Sequence, residues 1–102
     1  MQAGELARRI ESNCAPLILD TRSEIEFKRG HIPRAIHAPV LKISLKRARL
    51  PADKKIELVI HCEHGPRAWM AERVLAACRY HNTSLLEGHI LGWRRAGFPL
   101  TK

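Results

Sequence analysis

Cys62 ends the apolar run Leu58-Val59-Ile60-His61, and Glu63-His64-Gly65-Pro66 separate it from Arg67. An apolar run that stops at a cysteine, followed by a short polar loop and an amphipathic helix, presents a nucleophile at the end of a buried strand. Successive backbone N–H groups of such a loop converge on an anion, and the helix dipole favours negative charge there. The same field favours a thiolate over a thiol. A buried structural cysteine is the competing reading. Its position at the strand end, rather than inside the strand, favours the nucleophile.

Other side chains invite both a chemical and a structural reading. Asp20 and Arg22 follow Leu17-Ile18-Leu19, and an ion pair with each other's neighbours or with Glu26 is favoured over catalysis, with Arg22 able to line the pocket mouth. His31 reads as a hydrogen-bonded turn histidine rather than a proton shuttle. His61 points away from Cys62 if the strand continues, and reads as packing. His64 lies in the loop, exposed, where it can steer a donor or acceptor. Trp69 is either exposed for docking or packed under the loop, whereas Met70, Cys78 and Trp93 read as core. His61, Cys62 and His64 cannot converge on one ion within so tight a loop, so no metal site is expected.

Composition limits the classes of function. The chain has 102 residues, which suits one domain over 1–102 and one core. No apolar run approaches the roughly 20 residues that span a bilayer, and no membrane partner is expected. The first ten residues mix acid and base and do not read as a secretory signal. The three cysteines, Cys14, Cys62 and Cys78, are too few and of odd number for a disulfide framework. A reducing, cytoplasmic setting follows as the expectation. The net charge of +8 is spread along the chain with almost no aromatic interleaving, so no nucleic-acid partner is expected. It nonetheless draws small anions toward an anion-binding loop.

The elements that must position these residues alternate. A helix is predicted over Glu5–Ser12, a buried strand over Leu17–Asp20, and a helix over Glu24–Arg29 opened by a Ser23/Glu26 capping box and stopped by Gly30. Ala35–Ala38 reads as a short strand. Periodicity leaves Leu41–Leu50 as loop or helix, and Pro51–Lys55 as a turn. Glu57–His61 is the strand that delivers Cys62. A helix follows over Ala68–Tyr80, then a strand over Ser84–Glu87 and a helix over Ile90–Ala96, ended by Gly97. Strands alternating with helices imply an α/β fold of three layers: a central parallel sheet of about four to five short strands with helices on both faces. Ligands bind beyond the carboxyl ends of such strands, where Asp20, Cys62 and Glu87 fall.

Three ordered segments resemble the rhodanese domain. They are Leu19-Asp20-Thr21-Arg22 with Glu26-Phe27 and Gly30 to Pro39, then Cys62 to Arg67, then Leu86-Glu87-Gly88-His89 through Trp93 to Leu100. The match runs from about Glu5 to Leu100. It departs in two places: the edge strand that usually precedes the first helix is missing or cut short, and His89 stands where the family often has a second glycine.

The resemblance implies a single-domain sulfurtransferase. Cys62 matches the nucleophile that takes the outer sulfur of a donor such as thiosulfate, becomes a persulfide, and yields the sulfur to a second nucleophile. Glu63, His64, Gly65, Pro66 and Arg67 match the cradle. Pro66 contributes no N–H, and Gly65 allows a backbone that larger residues resist. Arg67 would hold the donor's anionic oxygens. The implied partners are a small anionic sulfur donor and an acceptor that is either cyanide or a thiol, the thiol being a small molecule or a thioredoxin-like protein, with no cofactor. The alternatives are a persulfide carrier and a non-catalytic regulatory module. Relatives that act on phosphate resemble Cys-x5-Arg, one residue longer than the loop here.

Overall fold

The computed structural model describes residues 1–102, and its sheet carries four parallel strands. Chain order is α1 (Ala3–Glu11), β1 (Leu17–Asp20), α2 (Glu24–Arg29), β2 (Ile36–His37), α3 (Val40–Ser44), β3 (Leu58–His61), α4 (Pro66–Ala77), β4 (Thr83–Leu85) and α5 (His89–Arg95). Across the sheet the order is β2-β1-β3-β4. The expected α/β architecture is therefore present.

Alternation along the central strands feeds two cores, one on each face. Leu19, Leu58 and Ile60 pack with Ala68, Ala71 and Leu75 of α4 and Ile43 of α3. Ile18 and Val59 pack with Leu6 of α1 and with Ile90 and Trp93 of α5. Cys62 keeps the parity of Leu58 and Ile60 and joins the α4 side. Trp93 is fully buried, as expected, and its indole N–H donates to the Pro99 carbonyl at 2.8 Å.

Local signals set several boundaries. Ser23 Oγ accepts from the Glu26 amide and the Glu26 carboxylate accepts from the Ser23 amide, which completes the expected capping box. Pro66 occupies the first turn of α4, so that helix starts two residues before the predicted Ala68. The undecided stretch after Pro39 forms α3 and then turns; Ile43 alone is buried, while Leu41 and Leu45 face outward. That is why its periodicity was ambiguous. At the free edge of β4, Met1 takes the place of a strand residue: its amine donates to the Leu85 carbonyl at 2.8 Å, and its carbonyl accepts from the Glu87 amide at 2.9 Å.

Two core expectations are corrected. Met70 is 54% exposed. The inward face of α4 is set by Ala68, Ala71 and Leu75, and Met70 lies off it. Cys78 is half-buried, packing against the core while lining an open cavity of about 530 Å³ with Ile43, Leu50, Lys54 and Tyr80. It sits at the C-cap of α4, where the helix leaves the core.

Candidate active site

The register Asp20↔His61 brings the ends of β1 and β3 side by side. The chain then leaves β3 at Cys62 and turns through Gly65, whose φ of 138° belongs to the region that favours glycine. This turn aims the Gly65 N–H at Cys62 Sγ, 2.9 Å away. The loop amide thus points inward, onto the sulfur, at the N-terminus of α4. The sulfur is more enclosed than expected: Cys62 has no accessible surface. Its side chain follows the strand's inward parity and lies against the core beneath its own loop.

Two ion pairs flank the loop. Arg67 donates to both carboxylate oxygens of Glu26, at 2.7 and 3.3 Å. Arg94 of α5 does the same to Glu63, at 2.6 and 3.1 Å. Hydrogen bonding from Arg67 holds the Glu26 carboxyl down at about 2, and that from Arg94 lowers Glu63. Arg67, expected to face a donor, is therefore occupied by a carboxylate. Arg22, Glu26, Arg29, Glu63 and Arg94 line a cavity of about 360 Å³ beside the loop. The larger cavity lies at Cys78, at the opposite end of α4 from the Cys62 loop.

Behind the loop lies a buried polar layer. Arg22 is 1% exposed and donates to Asp20 at 2.7 and 3.0 Å and to the Gly30 carbonyl at 2.8 Å. The expected structural pairing is present, but made directly between the two, while Glu26 serves Arg67. His37 donates from Nε2 to the Arg22 carbonyl at 2.7 Å. His61 is fully buried, its Nε2 without a hydrogen-bond partner and 3.9 Å from Asp20. Burial pushes its pKa down to about 4 against the pull of Asp20. His31 donates from Nδ1 to the Phe27 carbonyl at 2.9 Å and stacks on the Phe27 ring, as a turn histidine should. His64 and Pro66 are exposed on the loop, and Trp69, one turn into α4, is 54% exposed. No cluster of histidine, cysteine and carboxylate groups suited to a metal ion is present.

Known proteins decide the family. The model for the Rhodanese-like domain matches residues 2–96. This chain belongs to the rhodanese-like domain family. A sulfurtransferase of Allochromatium vinosum is 30% identical over 95 residues, covering 93% of this domain and 87% of that protein. The thiosulfate:glutathione sulfurtransferase of Saccharomyces cerevisiae is 27% identical over 88 residues, covering 76% of this domain and 63% of that protein. A rhodanese-related protein of Thermoplasma volcanium superposes with a TM-score of 0.82 at 28% identity, over 99% of this domain and 95% of that chain. The domain's relatives thus include sulfurtransferases.

The roles of three residues of this rhodanese-like site are not legible in sequence. Glu26 reads as a helix cap and as a partner for Asp20 or Arg22, but not for Arg67; Arg94 reads only as surface, and His89 only as a departure from a glycine pair. The contacts of Glu26 and Arg94 join elements far apart in sequence, and no local spacing signals them. His89 did carry a signal, a bulky residue directly after the turn glycine Gly88.

Proposed function

We propose that this rhodanese-like domain is a sulfurtransferase that carries sulfane sulfur as a persulfide on Cys62. The donor is a small anion such as thiosulfate, or a persulfide. The acceptor is a thiol or cyanide. In the first step the Cys62 thiolate attacks the donor's outer sulfur. A bond from Sγ to that sulfur forms, the donor's S–S bond breaks, and sulfite leaves with the electron pair when thiosulfate is the donor. In the second step the acceptor attacks the outer sulfur, and the Cys62 thiolate leaves.

The observation that carries this reading is the Gly65 N–H on Cys62 Sγ, inside a Cys-x4-Arg loop at a helix N-terminus. An inward amide supports an anionic sulfur, and the remaining loop N–H groups of Glu63, His64 and Arg67 complete the cradle. The four-residue spacing suits one added sulfur better than a tetrahedral phosphate. Because the sulfur is enclosed, the donor must displace part of the rim, and Arg67 exchanging Glu26 for donor oxygens is the natural opening. Asp20 and Arg22 support the loop from behind.

A second reading, delivery of the sulfur to a thioredoxin-like protein thiol, is favoured by one observation. Trp69, whose amide donates to the Gly65 carbonyl, exposes about half of its surface beside the loop, next to exposed Met70.

Intact mass spectrometry after exposure to thiosulfate tests the proposal. One sulfur atom should be gained on Cys62 and lost again on adding cyanide or a thiol. Cys62→Ser should fold normally and gain none. Full transfer by that variant would remove Cys62 from the mechanism. Comparing small and protein thiols as acceptors separates turnover from delivery.

A further inference from the structure

His89 is a residue other than glycine with φ of 53°, directly after Gly88 with φ of 77°. A side chain in that backbone region is costly, and such strain persists where the surroundings enforce it. What the strain accompanies is contact with the Cys62 loop. His89 Nδ1 accepts the Cys62 amide N–H at 3.3 Å. The other edge of the ring abuts Gly65: a Cβ on that glycine would sit 3.4 Å from His89 Nε2. The next two residues of α5 continue the contact by backbone, Ile90 N–H to the Cys62 carbonyl at 3.1 Å and Leu91 N–H to the Glu63 carbonyl at 3.2 Å. Both peptide groups of the cysteine are thus held by α5, and the ring touches the two loop residues whose N–H and Sγ meet.

We infer that His89 is a positioning residue for sulfur transfer: its neutral ring holds the Cys62 amide and the Gly65 turn so that the loop N–H stays on the sulfur. The inference rests on the sulfurtransferase reading. An acceptor at Nδ1 requires the ring proton on Nε2. Protonation places an N–H at Nδ1, opposite the Cys62 N–H, and the hold is lost. Burial lowers the pKa of His89, and His64 adds to that, so the neutral form prevails at neutral pH. The titratable groups around the ring are Cys62, His64 and Glu63 of the loop, with the Glu63 carboxylate turned to Arg94, and His61 at the end of β3.

Two variants separate positioning from bulk. His89→Gly relieves the backbone and removes the acceptor. His89→Asn tolerates the left-handed backbone and retains an acceptor that does not titrate. With thiosulfate and cyanide, His89→Gly should lower kcat about tenfold with KM little changed, and should melt no lower than the parent. His89→Asn should recover most of the rate and lose an acid limb that the parent shows. Hydrogen exchange of the Cys62 amide should be slow in the parent and in His89→Asn, and fast in His89→Gly. Parental kcat in His89→Gly, or an identical acid limb in His89→Asn, overturns the inference. Failure of the parent to take up sulfur at all would instead remove the proposed function, while the exchange data would still report whether His89 holds the amide.

Discussion

The Glu26 carboxylate spans two structures: it caps α2 through the Ser23 amide and clasps Arg67 across the mouth of the Cys62 loop at 2.7 and 3.3 Å. The residue best suited to hold an anionic donor is thus already neutralised, and a donor must compete with a carboxylate. Glu26→Gln keeps the cap geometry but releases the guanidinium. It should lower KM for thiosulfate by about threefold, the scale of a partly exposed ion pair. Arg67→Ala should raise that KM about tenfold, the loss of one charge-assisted contact. Steady-state kinetics at fixed ionic strength checks both, and equal KM values in parent and Arg67→Ala would remove Arg67 from donor binding.

His61 makes the fold sensitive to acid. Burial lowers its pKa to about 4, whereas the unfolded chain binds that proton near the ordinary histidine value of about 6.5. Between those values the unfolded state holds more protons, so stability is complete above about pH 6.5 and falls as pH drops toward 4. The loss attributable to this one fully buried ring is about 2–3 kcal/mol. Urea unfolding across that range should show it in the parent. His61→Gln, which does not titrate, should show a shallower fall, and parallel curves would place the burial of this ring in doubt.

Asp20 and Arg22 form a different kind of pair, with neither side chain more than 1% exposed. Removing one partner strands the other charge in the interior, and each of Asp20→Ala and Arg22→Ala should cost about 3 kcal/mol or more. Replacing both with apolar residues should cost less than the single changes added together. Double-mutant unfolding measures the difference. Additive losses would show that the two charges do not depend on each other.

The parts of this architecture legible in sequence are those fixed by near neighbours. The Ser23/Glu26 box and the Cys62–Arg67 loop depend on contacts a few residues apart, and each stands where its spacing put it; the Leu17–Asp20 strand pairs with distant residues but is legible from its own unbroken apolar run. Helix phase was harder: with alanines on the inward side of α4, the large Met70 was a poor guide to the buried face. The site's electrostatics were out of reach for another reason. Glu26–Arg67 and Glu63–Arg94 span 41 and 31 positions, and only the folded sheet brings their ends together. Burial of Cys62 belongs to the same class, because the side chain packs into the core shared with α4 while its own loop turns back over the sulfur.

The three cysteines offer a direct measure of that cover. Cys14 is exposed, Cys78 is half-buried at an open cavity, and Cys62 has no accessible surface. With a bulky maleimide on the native domain, labelling should run Cys14 first, Cys78 next and Cys62 last, read by peptide mass spectrometry. Reagents that differ in bulk separate access from chemistry. Small iodoacetamide should narrow its lag, since only the rim has to move. Glu26→Gln, with one flanking ion pair gone, should narrow it further. If the maleimide reaches Cys62 as fast as Cys14 in the parent, the rim opens freely and Glu26 does not govern entry. If Cys62 resists iodoacetamide and takes up no sulfur from thiosulfate, the enclosed thiol is structural and the persulfide mechanism fails.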